Sequence, residues 1–325
     1  MWQLGAYFKV RALLRRTKLD LAHHLTFGTY WLPTFVPFLG IPFIWGPLGG
    51  AESVPRKLGY GFGFYGQVFE GIRDLVRSFS NLSPIIRYTA RNAAGVLAKS
   101  ADTAAQLREL GAREVQVCQP GISVTDFPEV DNTESEERGF RIISVGRLLH
   151  WKGFHLSLNA YAEAMKRTPD MEYWIIGDGP ERHRLEFLAN KLGVGNQTHF
   201  WGEVSRHQAL QKISSCDTLI HPSLHDSGGW VCLEAMALGK PVVCLDLGGP
   251  SLQVTPSTGF KIPANDPMQI IAELAKAMTT LATEPALRSQ LGTAGRERIL
   301  RRFSWSRKAI ALSRIYMDSS RTHCK

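Results

Sequence analysis

The sequence predicts an α/β protein made of two units with parallel sheets. Three observations carry that prediction. The chain has 325 residues, more than one ordinary core accommodates. Short apolar runs alternate with amphipathic stretches, as in a parallel sheet wrapped by helices. Glycines sit where several of those runs end, as the turns leaving such strands require. A composition of 44% hydrophobic and 21% charged residues, with 30 Gly, excludes a disordered or fibrous chain.

In chain order, the first element is helical, with no opening strand and no Gly-rich turn before it. Ala6, Val10, Leu13 and Leu14 recur at helical spacing beside Lys9, Arg11, Arg15, Arg16 and Lys18. This pattern suits a solvated helix face or a helix lying on anionic lipid. Strands are expected at Leu21–His24, Pro42–Trp45, Gly95–Ala98 and Val115–Cys118. The stretch from Leu25 to Ala51 has no charged residue over 27 positions, long enough to span a bilayer. It also holds Pro33, Pro37, Pro42 and Pro47, and a helix so interrupted leaves backbone groups unpaired in lipid. A buried strand with flanking loops is therefore expected there.

Residues 1–130 read as a first, incomplete domain, and the acidic run 131–138 (DNTESEER) as a linker. A second domain is expected over residues 139–303. Its strands are placed at Phe140–Val145, Tyr173–Ile176, Thr198–Trp201, Thr218–His221, Pro241–Leu245 and Phe260–Ile262. Leu158, Tyr161, Ala162 and Met165 lie on one face of the helix after the first of these. Residues 304–325 are expected to form a last helix, over Phe303–Tyr316, that packs back on the first domain.

A net charge of +9 calls for an anionic partner without saying which. Within residues 1–128 there are 14 Lys/Arg against 8 Asp/Glu. The five cysteines are odd in number and form no Cys-x-x-Cys pair, so neither a disulfide framework nor a zinc site is expected. The opening residues do not read as a secretory leader. Together these favour a cytoplasmic protein, with peripheral contact to an anionic membrane as a further expectation.

The chemistry concentrates in HPSLHDSGGWVCLEAMALGKPVV, residues 221–243. A strand ending near His221 leads through Ser227, Gly228 and Gly229 into a helix that starts about Trp230. In a doubly wound sheet such a turn lies at the carboxyl edge of the strands, where ligands bind. Glycines admit a ligand close to the backbone, and the first helical N–H groups favour an anion such as diphosphate. Asp226 and Glu234 stand eight positions apart, one before the helix and one in its second turn, so both can face the same cleft. Upstream, VGRLLHWKGF (residues 145–154) presents Arg147 and Lys152 from a loop, a fork and a point charge suited to phosphate.

These motifs resemble the retaining GT-B glycosyltransferases marked by Glu-x7-Glu, the glycosyl transferases group 1. Aligned on LEAMALGKPVV, Glu234 matches the second carboxylate, and Asp226 stands where the family has the first Glu. Gly177-Asp178-Gly179-Pro180 and Phe200-Trp201-Gly202 follow in family order, and the match runs from about Phe140 to Phe303. The resemblance implies a GT-B fold, two Rossmann-like doubly wound parallel-sheet domains facing a cleft, here with the N-terminal one incomplete.

It further implies that Arg147 and Lys152 neutralise the donor diphosphate, Glu234 holds the ribose and Asp226 contacts the transferred sugar. Gly146, Gly177, Gly179, Trp201, Gly202, His225, Ser227, Gly228, Gly229, Trp230 and Val231 would complete the donor site, with the nucleobase near Trp201. In the first half, Asp20–His24 resembles the family strand that ends in His. The run Trp45–Gly50 (WGPLGG) lies where many members carry a functional His. His24, Gly49 and Gly50 are thus candidates for the acceptor side, the two glycines through their amides on phosphate; a core role for His24 is the alternative.

The implied activity is transfer of a hexose from a UDP- or GDP-sugar to a polysaccharide or glycolipid precursor, with a glycan or lipid-linked acceptor as partner. In the front-face mechanism usual for the family, the leaving phosphate helps deprotonate the acceptor. No Asp-x-Asp occurs, and no metal or other cofactor is expected. The alternatives are an inactive nucleotide-sugar-binding module or fragment, and a nucleotide-sugar epimerase of the same fold. No Gly-x-Gly-x-x-Gly follows a strand to support a dinucleotide enzyme, and no motif supports nucleic-acid binding.

Overall fold

Among the described residues ten strands form two sheets in which every strand pairing is parallel. The computed structural model describes residues 2–59, 61–123, 125, 127 and 139–321. The expected linker 131–138 and Cys324 lie outside the described residues.

The first half runs α1 (Trp2–Leu14), β1 (Ala22–His24), β2 (Phe43–Leu48), α2 (Arg56–Gly59), α3 (Phe64–Leu82), α4 (Pro84–Asn92), β3 (Gly95–Ala98), α5 (Ala101–Glu109) and β4 (Val115–Val117). The second runs β5 (Phe140–Val145), α6 (Phe154–Met165), β6 (Met171–Ile176), α7 (Arg182–Lys191), β7 (Thr198–Gly202), α8 (Arg206–Ser214) and β8 (Thr218–His221). It continues with α9 (Trp230–Ala237), β9 (Val242–Leu245), α10 (Gly248–Gln253), β10 (Gly259–Ile262), α11 (Pro267–Thr283), α12 (Pro285–Arg298) and α13 (Trp305–Arg321).

Two compact units divide the chain: 1–52 with 68–120 and 306–325, and 53–67 with 121–305. The division therefore falls at residue 120 rather than 130, and it assigns 53–67 to the second unit. The reason is packing: Leu58 and Phe62 are buried in the second unit's core beside Phe154 and Leu158. Ile122 is likewise tied there, its N–H donating to the Phe303 carbonyl at 2.8 Å. The helix α13 belongs with the first unit, where the Tyr316 hydroxyl lies 2.6 Å from His23 Nδ1. It starts and ends later than the expected 303–316, because Ile299–Phe303 forms a π turn before it.

In the first unit the sheet order is β1-β2-β3-β4. Phe43, Trp45, Val96 and Ala98 pack on Ala104, Leu107 and Leu110 of the α5 region. Ser100 caps α5 by accepting from the Thr103 N–H at 3.1 Å. The basic stretch expected to be one helix stops at Leu14, and Arg15 and Arg16 lie in the turn after it. Leu13 is exposed, so Ala6, Val10 and Leu14 make the half-buried face without it.

In the second unit the order is β10-β9-β8-β5-β6-β7. The inner strands β8 and β9 are buried throughout, which is why β9 reads as an unbroken apolar run and β8 as apolar between Thr218 and His221. Period-two alternation sends Ile142, Tyr173, Ile220 and Val243 to one face and Ile143, Leu219, Val242 and Cys244 to the other. Leu158 and Tyr161 are buried on the first face, with Ala162 and Met165 packed beside them. Asp266 starts α11 by accepting from the N–H groups of Met268 and Gln269, both at 3.0 Å.

Candidate functional site

The order of the second sheet reverses between β5 and β8: β6 and β7 follow on one side of β5, and β9 and β10 on the other side of β8. At such a switch the loops leaving the two strands diverge and open a crevice at their carboxyl ends. Here the loop after β5 carries Arg147 and Lys152, and the loop after β8 carries Asp226. Backbone bonds lock the surrounding loops. The Gly146 N–H donates to the Ile176 carbonyl at 2.9 Å, Gly177 to Gly202 at 2.8 Å, and Leu224 to Trp151 at 2.8 Å. Gly177 has φ 124°, and a Cβ there would fall 2.1 Å from the Gly146 oxygen, so this approach admits only glycine. Gly146, Gly177 and Gly202 are thereby brought together, and Gly179 lies against the Leu148 carbonyl.

Asp226 is the centre of the site. The Lys152 ammonium donates to its Oδ2 at 2.6 Å, and His221 Nε2 lies 3.3 Å from the same oxygen. Its Oδ1 accepts from the N–H groups of Gly228 at 3.1 Å and Gly229 at 3.0 Å. Burial alone would raise this carboxyl. Its contact with His221 and the charge and hydrogen bond of Lys152 outweigh burial and hold it far below the usual carboxylate range. The carboxylate is therefore ionised at any physiological pH. Burial keeps the His221 imidazole below its ordinary value, against the pull of Asp226.

The expectation that the Gly228 and Gly229 amides are open to a diphosphate is corrected by this geometry. Those amides are spent on Asp226, whose carboxylate supplies the anion that the start of α9 attracts. Gln253 fixes the turn from the other side, its side-chain amide donating to the Gly228 carbonyl at 2.5 Å. Trp230 and Val231, the first two residues of α9, follow this cap; the Trp230 ring is exposed and Val231 is half-buried.

Glu234, in the second turn of α9, accepts from Arg206 Nε of α8 at 3.2 Å. Burial raises its carboxyl and Arg206 opposes the rise. Cys232, two residues before Glu234 on α9, is buried. Burial drives that thiol far above its ordinary value, so Cys232 is a packed side chain and not a nucleophile.

The remaining candidates are placed as follows. Arg147 is exposed, and among the described residues no ion pair joins it to Asp226 or Glu234. Ser227 is half-buried, its carbonyl against Gly249. The His225 ring stacks on Trp151, with centroids 5.1 Å apart at 15°. Trp201 is on edge strand β7, packed on Trp174 with the Lys212 ammonium 3.0 Å from its ring centroid, so its indole belongs to a cation-π stack on the α8 side.

In the first unit the candidate acceptor loop is closed on itself. The Gly49 N–H donates to the Gly28 carbonyl at 2.7 Å and the Gly50 N–H to Glu52 at 2.8 Å, so neither amide is open to phosphate as expected. Glu52 is buried and is held also by Ser100 and by Thr103 at 2.9 Å. His24 is buried, its Nε2 lies 3.1 Å from Gln3 Nε2, and burial lowers its pKa; this is the core alternative.

Four contributors were not singled out from the sequence: His221, Arg206, Gln253 and Trp151. Only His221 carried a readable signal, as the polar end of an apolar strand. The others act over 25 or more positions, as Gln253 does on Gly228 and Arg206 on Glu234, and no local spacing encodes that.

Comparisons with known proteins agree with this architecture. The family model described as glycosyl transferases group 1 matches residues 127–298, more than half of the chain. The chain is 31% identical over 221 residues to the lipopolysaccharide core biosynthesis glycosyltransferase LpsD of Rhizobium meliloti, covering 67% of this chain and 60% of that protein. It is 27% identical over 212 residues to glycogen synthase of Mycobacterium tuberculosis, covering 65% of this chain and 50% of that one. It thus spans about 50–60% of the length of these curated relatives.

Among solved structures, sucrose-phosphate synthase from Thermosynechococcus elongatus superposes with a TM-score of 0.69 at 22% identity, over 96% of this chain and 76% of that one. HepE from Anabaena, in complex with UDP and glucose, gives 0.66 at 20% identity, over 94% and 80%. These likenesses are of fold, and the fold is GT-B. With the second parallel sheet, its switch point and the family match all in one stretch, the chain belongs to the glycosyl transferases group 1 family.

Proposed function

We propose that the chain transfers a hexose, with retention of anomeric configuration, from a UDP- or GDP-sugar to a polysaccharide or glycolipid precursor on the cytoplasmic side of a membrane. The observation that carries this reading is the Lys152–Asp226 pair, which bridges the loops after β5 and β8 at the switch of the sheet. An ionised carboxylate and an ammonium in contact are a polar pair that a sugar diphosphate can enter. Phosphate oxygens then share the ammonium while sugar hydroxyls donate to the carboxylate.

In this reading Arg147 swings from solvent onto the diphosphate, and with Lys152 it offsets the charge that grows as the glycosidic bond breaks. Glu234 accepts from the ribose hydroxyls, and Trp230 offers its N–H at the start of α9. The C1–O bond to phosphate breaks with its electron pair going to the phosphate oxygen. The acceptor oxygen bonds to C1 from the same face and passes its proton to that oxygen, so no enzyme nucleophile is needed. Cations from the chain do the electrostatic work in place of a metal.

The test is Arg147→Ala. Exposed Arg147 contributes little to folding, so the variant should melt like the parent while losing donor hydrolysis and transfer; unchanged turnover would refute its role. Calorimetry with UDP and with GDP, beside a sugar-release assay, separates this reading from an inactive module, which binds a nucleotide and releases no sugar.

A further inference from the structure

The helix α3 is amphipathic with its apolar side turned outward. Phe69, Ile72, Leu75, Val76, Phe79 and Leu82 recur at spacings of three and one, on one face, and all are exposed, Phe79 by 66% and Leu82 by 69%. The polar side faces the protein. Arg73 pairs with Glu70 at 3.2 Å and donates to the Glu52 carbonyl at 2.5 Å, while Arg77 donates to the Ala51 carbonyl at 3.0 Å. An ordinary surface helix does the reverse, so this stripe is made to meet something apolar.

The stripe does not stand alone in the first unit. Beyond its end, exposed Tyr88 of α4 stacks on exposed Phe38, with centroids 5.4 Å apart at 6°. The turn that carries Phe38 packs on α1, where Tyr7 donates to its carbonyl at 3.4 Å. On α1, Trp2 and Phe8 are also exposed. Charge says what covers this face. No Asp or Glu occurs from Leu75 to Ala101, and none precedes Asp20. Lys9, Arg11, Arg15, Arg16 and Lys18 are all exposed. On α3 itself the exposed acid Asp74 is paired with Arg77 at 3.4 Å, and exposed aromatic and aliphatic groups with the cations of α1 beside them match the interface of an anionic bilayer.

We propose that the outward face of α3, continued by Tyr88, Phe38 and α1, docks the protein in the plane of an anionic membrane. The apolar stripe enters the headgroup–acyl boundary and the basic residues bind the lipid phosphates. Among the described residues no helix is long and apolar enough to cross a membrane, and in-plane attachment requires none. The proposal rests on the first unit alone and stands or falls separately from the transfer reaction.

Co-sedimentation of the full chain with vesicles tests it. The protein should sediment with phosphatidylcholine vesicles that contain phosphatidylglycerol, and less with pure phosphatidylcholine. The Ile72→Ser/Phe79→Ser variant alters only exposed side chains and should keep its melting temperature while its partition falls about tenfold or more. Arg15→Glu/Arg16→Glu should weaken binding to the anionic vesicles about fivefold per charge. Parent protein left in the supernatant, or undiminished sedimentation of the serine variant, overturns the proposal. So does a dimer by light scattering that becomes a monomer in that variant, since the stripe would then be a self-interface.

Discussion

Lys152 and Asp226 are 74 positions apart in the chain, yet their side chains meet at 2.6 Å, each about one-fifth exposed. The contact joins two strands at the point where the sheet reverses its order. A carboxylate so enclosed needs its partner: breaking one side of such a pair leaves the other charge buried.

Asp226→Asn should therefore destabilise the second unit by about 3 kcal/mol in a denaturant titration at neutral pH. The folded carboxyl titrates below its unfolded value, so its stabilisation is complete above about pH 4 and is lost as pH falls below that. In the Asn variant this acid limb should be missing.

A second pH effect comes from His155 on α6, whose pKa burial, with the nearby Arg184 charge, lowers from 6.5 to about 4. Between these values the unfolded chain binds the proton and the folded chain does not, so stability rises with pH across that window. The loss from pH 7 to pH 4 from this group should be about 3 kcal/mol, and His155→Gln should flatten the slope between pH 4 and 6.5 in thermal melts.

Glycines around Asp226 separate packing from chemistry. A Cβ at Gly249 would fall 2.3 Å from the Ser227 carbonyl oxygen, whereas one at Gly228 meets nothing within 4 Å. Gly249→Ala should cost about 3 kcal/mol or more, and Gly228→Ala should stay within about 0.5 kcal/mol. Equal urea midpoints for the two variants would contradict the backbone packing described for this turn.

Arg206 opposes the burial-driven rise of the Glu234 carboxyl, so Arg206→Ala should let that rise increase. On the proposed role of Glu234, nucleotide affinity measured by calorimetry should then weaken more steeply on acidification than in the parent. Glu234→Gln should weaken it at every pH, without changing the melting temperature by more than the loss of a partly exposed pair allows.

Local chemistry determines much of this protein without reference to any long-range contact. The apolar run Val242–Leu245 and the Leu219–Ile220 pair between Thr218 and His221 read as buried strands of a parallel sheet. The glycines at 177, 202 and 229 marked the turns that leave the sheet. The order of the motifs from Val145 to Val243 was enough to identify the family, because turn chemistry and strand periodicity act between neighbours. The tertiary structure alone decided which charges meet. Lys152 engages Asp226, Arg206 engages Glu234, and the Gly228 and Gly229 amides turn to a carboxylate of their own loop. It also decided that α3 turns its apolar stripe outward, since a helical period names a face but not its direction. Partners and directions are set by strand order and packing, which bring together groups that no spacing along the chain relates.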